Sequence, residues 1–199
     1  MRYILVIAIF LFITSSYVNA QKFSVGGGLG LGQIINEKAE GRAVKGLVFA
    51  QVSYHLNDKF SVGIELGTAG NFSPVEDNNV MVGNSIILSP YDTKSNTVMG
   101  KFYYSFKLRK LDAYGATGIG TNRYFTNVNL PDIDVVERTN FAVMPEVGLR
   151  IDGLSISARY LIGGRGPAFQ GVDERGDNYS LSSENMNILY VTLGYNFTF

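Results

Sequence analysis

The chain has 199 residues, of which 46% are hydrophobic, and it contains 23 glycines, 12 tyrosines and 13 phenylalanines but no cysteine or tryptophan. Its 17 basic and 17 acidic residues cancel, so bulk charge does not attract nucleic acid or anionic lipid. Without cysteine, disulfide bonds and a lipid-modified cysteine are excluded. The length fits one domain, and the many glycines and aromatic residues indicate an all-β chain.

The first residues are typical of a secretory signal peptide. Met1 and Arg2 form a short basic start, residues 3–13 are almost wholly apolar, and Val18-Asn19-Ala20 has the small-x-small form of a cleavage site. The apolar run is too short to span a bilayer as a helix. We predict a signal peptide over residues 1–20 and one domain over 21–199; the alternative is an N-terminal membrane anchor.

Alternation of apolar and small or polar residues then recurs along the chain. This period of two predicts β-strands. It occurs in eight segments: 22–34, 44–56, 60–69, 97–106, 111–121, 140–151, 154–162 and 186–199. An even number of strands is what a closed antiparallel up-and-down barrel requires.

The predicted connections alternate between short and long. Three are tight: Asn57-Asp58-Lys59, Leu108-Arg109 and Asp152-Gly153. Four are longer, at about 35–43, 70–96, 122–139 and 163–185. Transmembrane barrels of the outer membrane have this asymmetry, with short turns on the periplasmic side and long loops outside. The sequence therefore predicts an eight-stranded transmembrane β-barrel.

The two strand faces differ in composition. One is apolar, and near the short turns it carries the aromatic residues of a predicted membrane-interface girdle: Tyr54, Phe60, Tyr104, Phe106, Phe197 and Phe199. The other holds many glycines and six isolated charges: Glu65, Lys101, Asp112, Glu146, Arg150 and Arg159. In a soluble lipocalin-like barrel the charges would face water. Glycine suits a narrow barrel interior better than an exposed strand surface, so we predict lipid outside and the charges in the lumen.

The pairing of one hairpin can be predicted from its turn. Asp152-Gly153 is a strong signal for a two-residue type I′ turn, which places Ile151 opposite Leu154. Counting back along both strands places Glu146 opposite Arg159 on the lumen face. Because an unpaired charge in a confined interior is costly, we predict a direct Glu146–Arg159 contact, with Arg150 close enough to join it. The alternative is that these charges contact lumen water.

The final residues have a recognisable pattern. The ending Thr192-x-Gly194-x-x-Phe197-x-Phe199 resembles the C-terminal signal by which bacterial outer-membrane proteins reach the barrel-assembly machinery. With the eight-strand pattern, the chain is similar to the OmpA/OmpX-like outer-membrane barrel superfamily, which includes PorT-type proteins of Bacteroidetes. The resemblance implies an integral outer-membrane barrel in contact with outer-membrane lipid. We expect no peptidoglycan-binding module after the barrel.

The predicted function is non-enzymatic. Eight strands enclose an interior that side chains fill, which argues against a wide pore. The predicted role is in envelope structure or surface interaction through the long loops. Loop 70–96 is unusually apolar, and part of 80–88 is predicted to extend the strands or to contact a partner. A role as an accessory component of a secretion or assembly machine, with a secretion-system partner, is an alternative that the PorT-type resemblance allows.

An enzyme of the outer leaflet that modifies lipid A is the other alternative. The only histidine, His55, is predicted at the periplasmic end, without the serine pairing of a deacylase. Catalysis by aspartates alone, with Asp132 and Asp134 or with Asp173 and Asp177, is the remaining enzymatic alternative, and neither pair has calcium-loop spacing. We therefore predict no catalytic residue, no metal, no cofactor and no nucleic-acid partner.

Overall fold

A computed structural model describes residues 23–35, 44–71, 80–82, 85–87, 94–125, 133–172, 178–182 and 185–199. The predicted signal peptide lies outside these residues. In the described part of the chain, no helix is long and apolar enough to cross a membrane.

The described residues form thirteen strands. Eight of them close into a barrel: β1 (Phe23–Ile34), β2 (Val44–His55), β3 (Phe60–Asn71), β6 (Lys94–Leu108), β7 (Leu111–Phe125), β9 (Arg138–Ile151), β10 (Leu154–Arg165) and β13 (Asn185–Thr198). The order around the barrel is β1-β13-β10-β9-β7-β6-β3-β2, and every neighbouring pair is antiparallel. The predicted eight-stranded up-and-down barrel is confirmed.

The other five strands lie in the longer connections. They are β4 (Val80–Val82), β5 (Ser85–Ile87), β8 (Ile133–Val136), β11 (Ala168–Val172) and β12 (Asn178–Ser182). The strands β4 and β5 pair only with each other, whereas β8, β11 and β12 form a three-stranded sheet. The prediction that part of 80–88 extends the barrel strands is therefore wrong, because these residues form their own hairpin.

Several barrel strands run further than predicted toward the long connections. The predicted strands 97–106 and 111–121 are Lys94–Leu108 and Leu111–Phe125 in the structure. Asn96 and Arg123 belong to predicted loops, but in the structure they pair directly across the two strands. We call the end of the barrel with the long connections the loop end, and the end with the short connections the turn end.

The turn end is closed by three short connections. At residues 56–59, the Asn57 side chain accepts hydrogen bonds from the backbone amides of Lys59 and Phe60, both at 2.9 Å. The second turn is Arg109-Lys110 rather than Leu108-Arg109, since Leu108 pairs with Leu111. Asp152 and Gly153 have φ angles of 48° and 87°, and two positive values are what the predicted type I′ turn requires.

The outer face of the barrel is apolar. Leu29, Ile64 and Phe141 are 64%, 62% and 69% exposed, which excludes a soluble barrel with its apolar residues inside. Toward the turn end, neighbouring rings form the predicted girdle, with centroids 5.1 Å apart for Phe60–Tyr104 and 4.7 Å for Tyr195–Phe197. A closed barrel with an apolar outer face and an aromatic girdle is the arrangement of an outer-membrane β-barrel, and the chain is integral to such a membrane.

The lumen is filled by side chains in two layers. Toward the loop end the layer is apolar, which the alternation of polar and apolar faces did not predict: Ile34, Leu47, Phe49, Ala69, Met99, Tyr124, Ala142, Met144, Leu161, Met186, Ile188 and Tyr190. The neighbouring layer carries buried charges. Glycines make room for large side chains in the lumen. A Cβ on Gly148 would lie 2.6 Å from the Tyr114 hydroxyl.

Candidate functional site

Four of the six predicted lumen charges meet inside the barrel. Glu65 on β3, Lys101 on β6, Glu146 on β9 and Arg159 on β10 have side chains that are at most 3% exposed. The strand alternation turns each of them inward, because each is flanked by outward-facing residues. We call these four residues the charge cluster.

The hairpin of β9 and β10 has the predicted register. Ile151 pairs with Leu154, Leu149 with Ile156 and Glu146 with Arg159. The Arg159 Nε atom lies 3.2 Å from the Glu146 Oε1 atom, so the predicted direct contact is confirmed. A two-residue turn was enough to bring these two side chains together.

The charge cluster is a closed ring in which each carboxylate contacts both cations. The Arg159 Nη1 atom donates to both Glu65 oxygens at 3.1 and 3.0 Å, and the Lys101 Nζ atom donates to Glu65 at 3.0 Å. Lys101 also donates to Glu146. The hydrogen-bonded carboxylate of Arg159 is therefore Glu65, across the lumen, and not its strand neighbour. Two acids and two bases make the ring neutral, which offsets the cost of burying each charge.

Polar side chains hold the ring in place. The Tyr114 hydroxyl donates to the Glu146 Oε1 atom at 2.9 Å, and the Arg159 Nε atom donates to the Ser157 hydroxyl at 3.3 Å. Ser157 is in turn 2.7 Å from the Thr192 hydroxyl. These contacts leave few lone pairs and donors of the buried charges unsatisfied.

A second hydrogen-bond chain lies beside the ring. The Tyr103 hydroxyl donates to the Gln51 Oε1 atom at 2.9 Å, and the Gln51 Nε2 atom donates to the Asn196 Oδ1 atom at 2.6 Å. None of these three residues is among the predicted site residues. A usable signal was present, because Gln51, Tyr103 and Asn196 all share the lumen-facing parity of the predicted charges.

Aromatic rings cover both cations. The Arg159 guanidinium carbon lies 3.8 Å from the centroid of the Phe49 ring, and the Lys101 Nζ atom lies 5.2 Å from that of Tyr103. A cation over a ring face is stabilised by the ring quadrupole, most strongly where water is excluded. Phe49 belongs to the apolar layer, so it joins the charge cluster to that layer.

The other two predicted charges are not members of the ring. Arg150 and Asp112 are cross-strand neighbours near the turn end and are only half-buried. Arg150 lies over the Tyr114 ring at 5.2 Å, and among the described residues it forms no ion pair with Glu146. The prediction that Arg150 joins the pair is wrong. Its strand position is closer to the turn, so its guanidinium lies over Tyr114 and does not contact the charge cluster.

His55 has a serine neighbour that the sequence analysis does not predict. Its Nδ1 atom is 2.8 Å from the Ser61 hydroxyl, which lies directly across β2 and β3. The spacing of six residues around a short turn was the signal for this pair. Ser61 is buried on the lumen side, and the described residues provide no carboxylate that hydrogen-bonds to the imidazole. The pair lacks the orienting group of a nucleophilic site.

Of the four acidic candidates, one lies among the residues that the structure describes. Asp132, Asp173 and Asp177 lie outside the described residues, and Asp134 is on β8 opposite Gln170. Among the residues that the structure describes, no three His, Cys, Asp or Glu side chains are grouped so that they could hold a metal ion.

Three residues of the predicted C-terminal signal lie on β13, and Phe199 directly follows that strand. Thr192 and Gly194 face the lumen, whereas Phe197 and Phe199 are 59% and 64% exposed on the outside. The Phe199 amide donates to the Phe23 carbonyl at 2.8 Å, so the last residue helps to close the barrel between β13 and β1.

No protein-family model matches the chain, and no curated protein sequence is similar to it. Neisserial surface protein A matches with 13% identity and a TM-score of 0.60, over 89% of this chain and 97% of that one. Ail of Yersinia pestis matches with 13% identity and a TM-score of 0.44, over 90% and 100% of the two chains. The outer membrane enzyme PagL matches with 14% identity and a TM-score of 0.46, over 88% and 99%. The two matches with a TM-score below 0.5 carry no argument, and an identity of 13% shows a shared fold alone. The match to the Neisserial protein shows that the chain has the fold of a small eight-stranded outer-membrane barrel.

Proposed function

We propose that the protein is a non-enzymatic outer-membrane β-barrel that acts through the segments at its loop end, in envelope structure or surface interaction. The observation that carries this proposal is the filled lumen. A neutral ring of four buried charges, next to a layer of apolar side chains, leaves the strands as a rigid support. Function is then carried by what the barrel presents outside the membrane.

The loop end is proposed to face the cell exterior. Outer-membrane barrels have short periplasmic turns, and the connections 56–59, 109–110 and 152–153 are short here. The sheet of β8, β11 and β12 and the hairpin of β4 and β5 would then form the exposed surface. During biogenesis, the barrel-assembly machinery would recognise Thr192, Gly194, Phe197 and Phe199.

Two alternatives are less well supported. The His55–Ser61 pair is the observation that favours an enzyme, but it lies at the turn end, inside the barrel and away from the outer leaflet. A role in a secretion or assembly machine would place partner contacts at either end. No contact of the described residues favours it.

Single cysteines can test the proposal, because the chain has none. Val136 on β8 and Asp58 in a short turn are both exposed, at opposite ends of the barrel. We expect a membrane-impermeant maleimide to label Val136→Cys in intact cells and Asp58→Cys only after permeabilisation. A photo-crosslinker at position 136 should capture surface partners that position 58 does not.

Other outcomes would support the alternatives. Labelling of Asp58→Cys in intact cells would mean that the turn end, and not the loop end, faces the cell exterior. Crosslinks from position 58 to secretion proteins would favour the machine component. Shortened lipid A that depends on His55 and Ser61 would establish an enzyme.

A further inference from the structure

An apolar groove runs across the outer face of the barrel toward the loop end. It has a volume of about 870 Å³, within the range of roughly 300–1,000 Å³ that small-molecule sites occupy. Its outward-facing lining comes from six neighbouring strands: Leu29, Leu31, Gly46, Val48, Thr68, Gly70, Lys94, Ile156, Val191 and Leu193. We call this the lipid-facing groove.

The floor of the lipid-facing groove is a pair of glycines. Gly46 and Gly70 are cross-strand partners on β2 and β3, and both point outward in the alternation of their strands. Leu31 on β1 is the other cross-strand partner of Gly46. Across β1, β2 and β3, the neighbouring outward positions are therefore a leucine followed by two glycines. The missing side chains leave a depression beside Leu31 and Val48.

The chemistry of the lipid-facing groove changes along its length. Ile156, Val191 and Leu193 form an apolar end on β10 and β13. Thr68 and Lys94 form a polar, cationic end on β3 and β6. A Cβ on Gly70 would lie 3.6 Å from the Lys94 Cγ atom, so the aliphatic part of the lysine lies along the glycine. Lys94 is exposed, and it makes no ion pair with the described residues.

We propose that the lipid-facing groove binds one lipid of the outer leaflet whose phosphate headgroup carries a net negative charge, with an acyl chain over Gly46 and Gly70 and the phosphate at Lys94. The occupant follows from the lining, since a groove with one apolar and one cationic end is complementary to an anionic amphiphile. Lysine at the membrane interface extends its ammonium group toward the headgroups. The assignment to the outer leaflet rests on the orientation in the proposed function.

Tryptophan fluorescence can test this site, because the chain contains no tryptophan. Leu66 is exposed beside Thr68 on β3 without lining the groove, so Leu66→Trp places a reporter next to it. Phe141 is exposed on β9, on another part of the outer face, and Phe141→Trp is the control reporter. The probes are brominated phosphatidic acid and brominated phosphatidylcholine, in vesicles of unlabelled phosphatidylcholine.

We expect half-quenching of Leu66→Trp at about a fivefold lower fraction of brominated phosphatidic acid than of brominated phosphatidylcholine, the factor expected from one lysine contact with an anionic lipid. Phe141→Trp should show no such preference. Lys94→Gln should remove the preference, whereas Lys107→Gln, which changes an exposed lysine at the turn end of the same strand, should retain it. Gly46→Val, which fills the floor of the groove, should weaken the preference for phosphatidic acid.

Equal quenching of Leu66→Trp by the two lipids would overturn the proposal, as would a preference that survives Lys94→Gln. If neither brominated lipid quenches Leu66→Trp and crosslinking yields dimers, a second copy of the chain covers the groove. That result would also overturn the proposal. Because the vesicles are defined, failure of this test leaves the cysteine-labelling test of location and orientation unaffected.

Discussion

Glu146 illustrates how this lumen accommodates a buried charge. Its two oxygens contact Lys101, Arg159 and the Tyr114 hydroxyl, which come from three other strands. The closing of the barrel therefore supplies partners that a single hairpin cannot. At the residue scale, the stability of the charge cluster depends on all four charges being present, because removing one leaves an uncompensated charge in a dry interior.

The first prediction concerns the pair found from the turn. Glu146→Gln and Arg159→Gln should each lower the free energy of unfolding in detergent or lipid by about 3–5 kcal/mol. The double variant should be less destabilised than the sum of the single variants. As a matched control, Arg123→Gln breaks the exposed Arg123–Glu137 pair and should cost about 0–1 kcal/mol. A coupling energy of zero between Glu146 and Arg159 would contradict the prediction.

The second prediction ranks the two partners of Arg159. Its guanidinium donates hydrogen bonds to both oxygens of Glu65 but contacts Glu146 only as an ion pair. Charge-assisted hydrogen bonds are stronger than ion contacts without that geometry. We expect double-mutant cycles with Glu65→Gln to give a larger coupling to Arg159 than cycles with Glu146→Gln. The opposite order would mean that the strand neighbour is the dominant partner.

At the scale of the elements, the hairpin of β9 and β10 depends on its turn. Gly153 has a φ angle of 87°, and a Cβ there would lie 2.6 Å from the Asn196 carbonyl. Gly153→Ala should therefore lower the free energy of unfolding by about 1–3 kcal/mol. Asp152→Asn is the control, because asparagine tolerates a positive φ. Equal stability of both variants with the wild type would show that the turn does not restrain the hairpin.

The strand β13 closes the barrel, and Phe199, which directly follows it, is also part of the predicted assembly signal. Deleting Phe199 removes the hydrogen bond to the Phe23 carbonyl and an exposed aromatic side chain. We expect less folded protein in the outer membrane and more degradation in the periplasm, measured by fractionation and immunoblotting. Phe199→Tyr is the control and should assemble. Normal assembly of both the deletion and Phe199→Glu would argue against the signal.

At the scale of the whole molecule, the filled lumen predicts little ion conduction. Met99, Met144 and Ile188 of the apolar layer are at most 3% exposed, and the charge cluster lies beside them. In planar bilayers, the purified protein should show no large, steady current, whereas a porin in the same bilayers provides the positive control. Reproducible porin-sized openings would contradict a closed lumen.

Much of the barrel could be predicted because a barrel repeats one local rule. In each strand, alternation assigns every residue to the lipid or the lumen, as Ile64 and Glu65 show. The strand ends were less predictable. Arg123 and Asn96 are polar on the outside beyond the apolar belt, where a strand no longer alternates in hydrophobicity although it continues in the structure.

The sequence by itself determined the strand number, the face of each charge and the contact of Glu146 with Arg159, because these follow from a period of two and a two-residue turn. Only the tertiary structure decided that Glu65 and Lys101 complete the ring, that Arg150 lies over Tyr114, and that Leu31 and Gly46 lie side by side in the lipid-facing groove. These contacts join strands connected through longer segments or not adjacent in sequence. Their register depends on how all eight strands are staggered when the barrel closes, and no local pattern in the chain encodes that stagger.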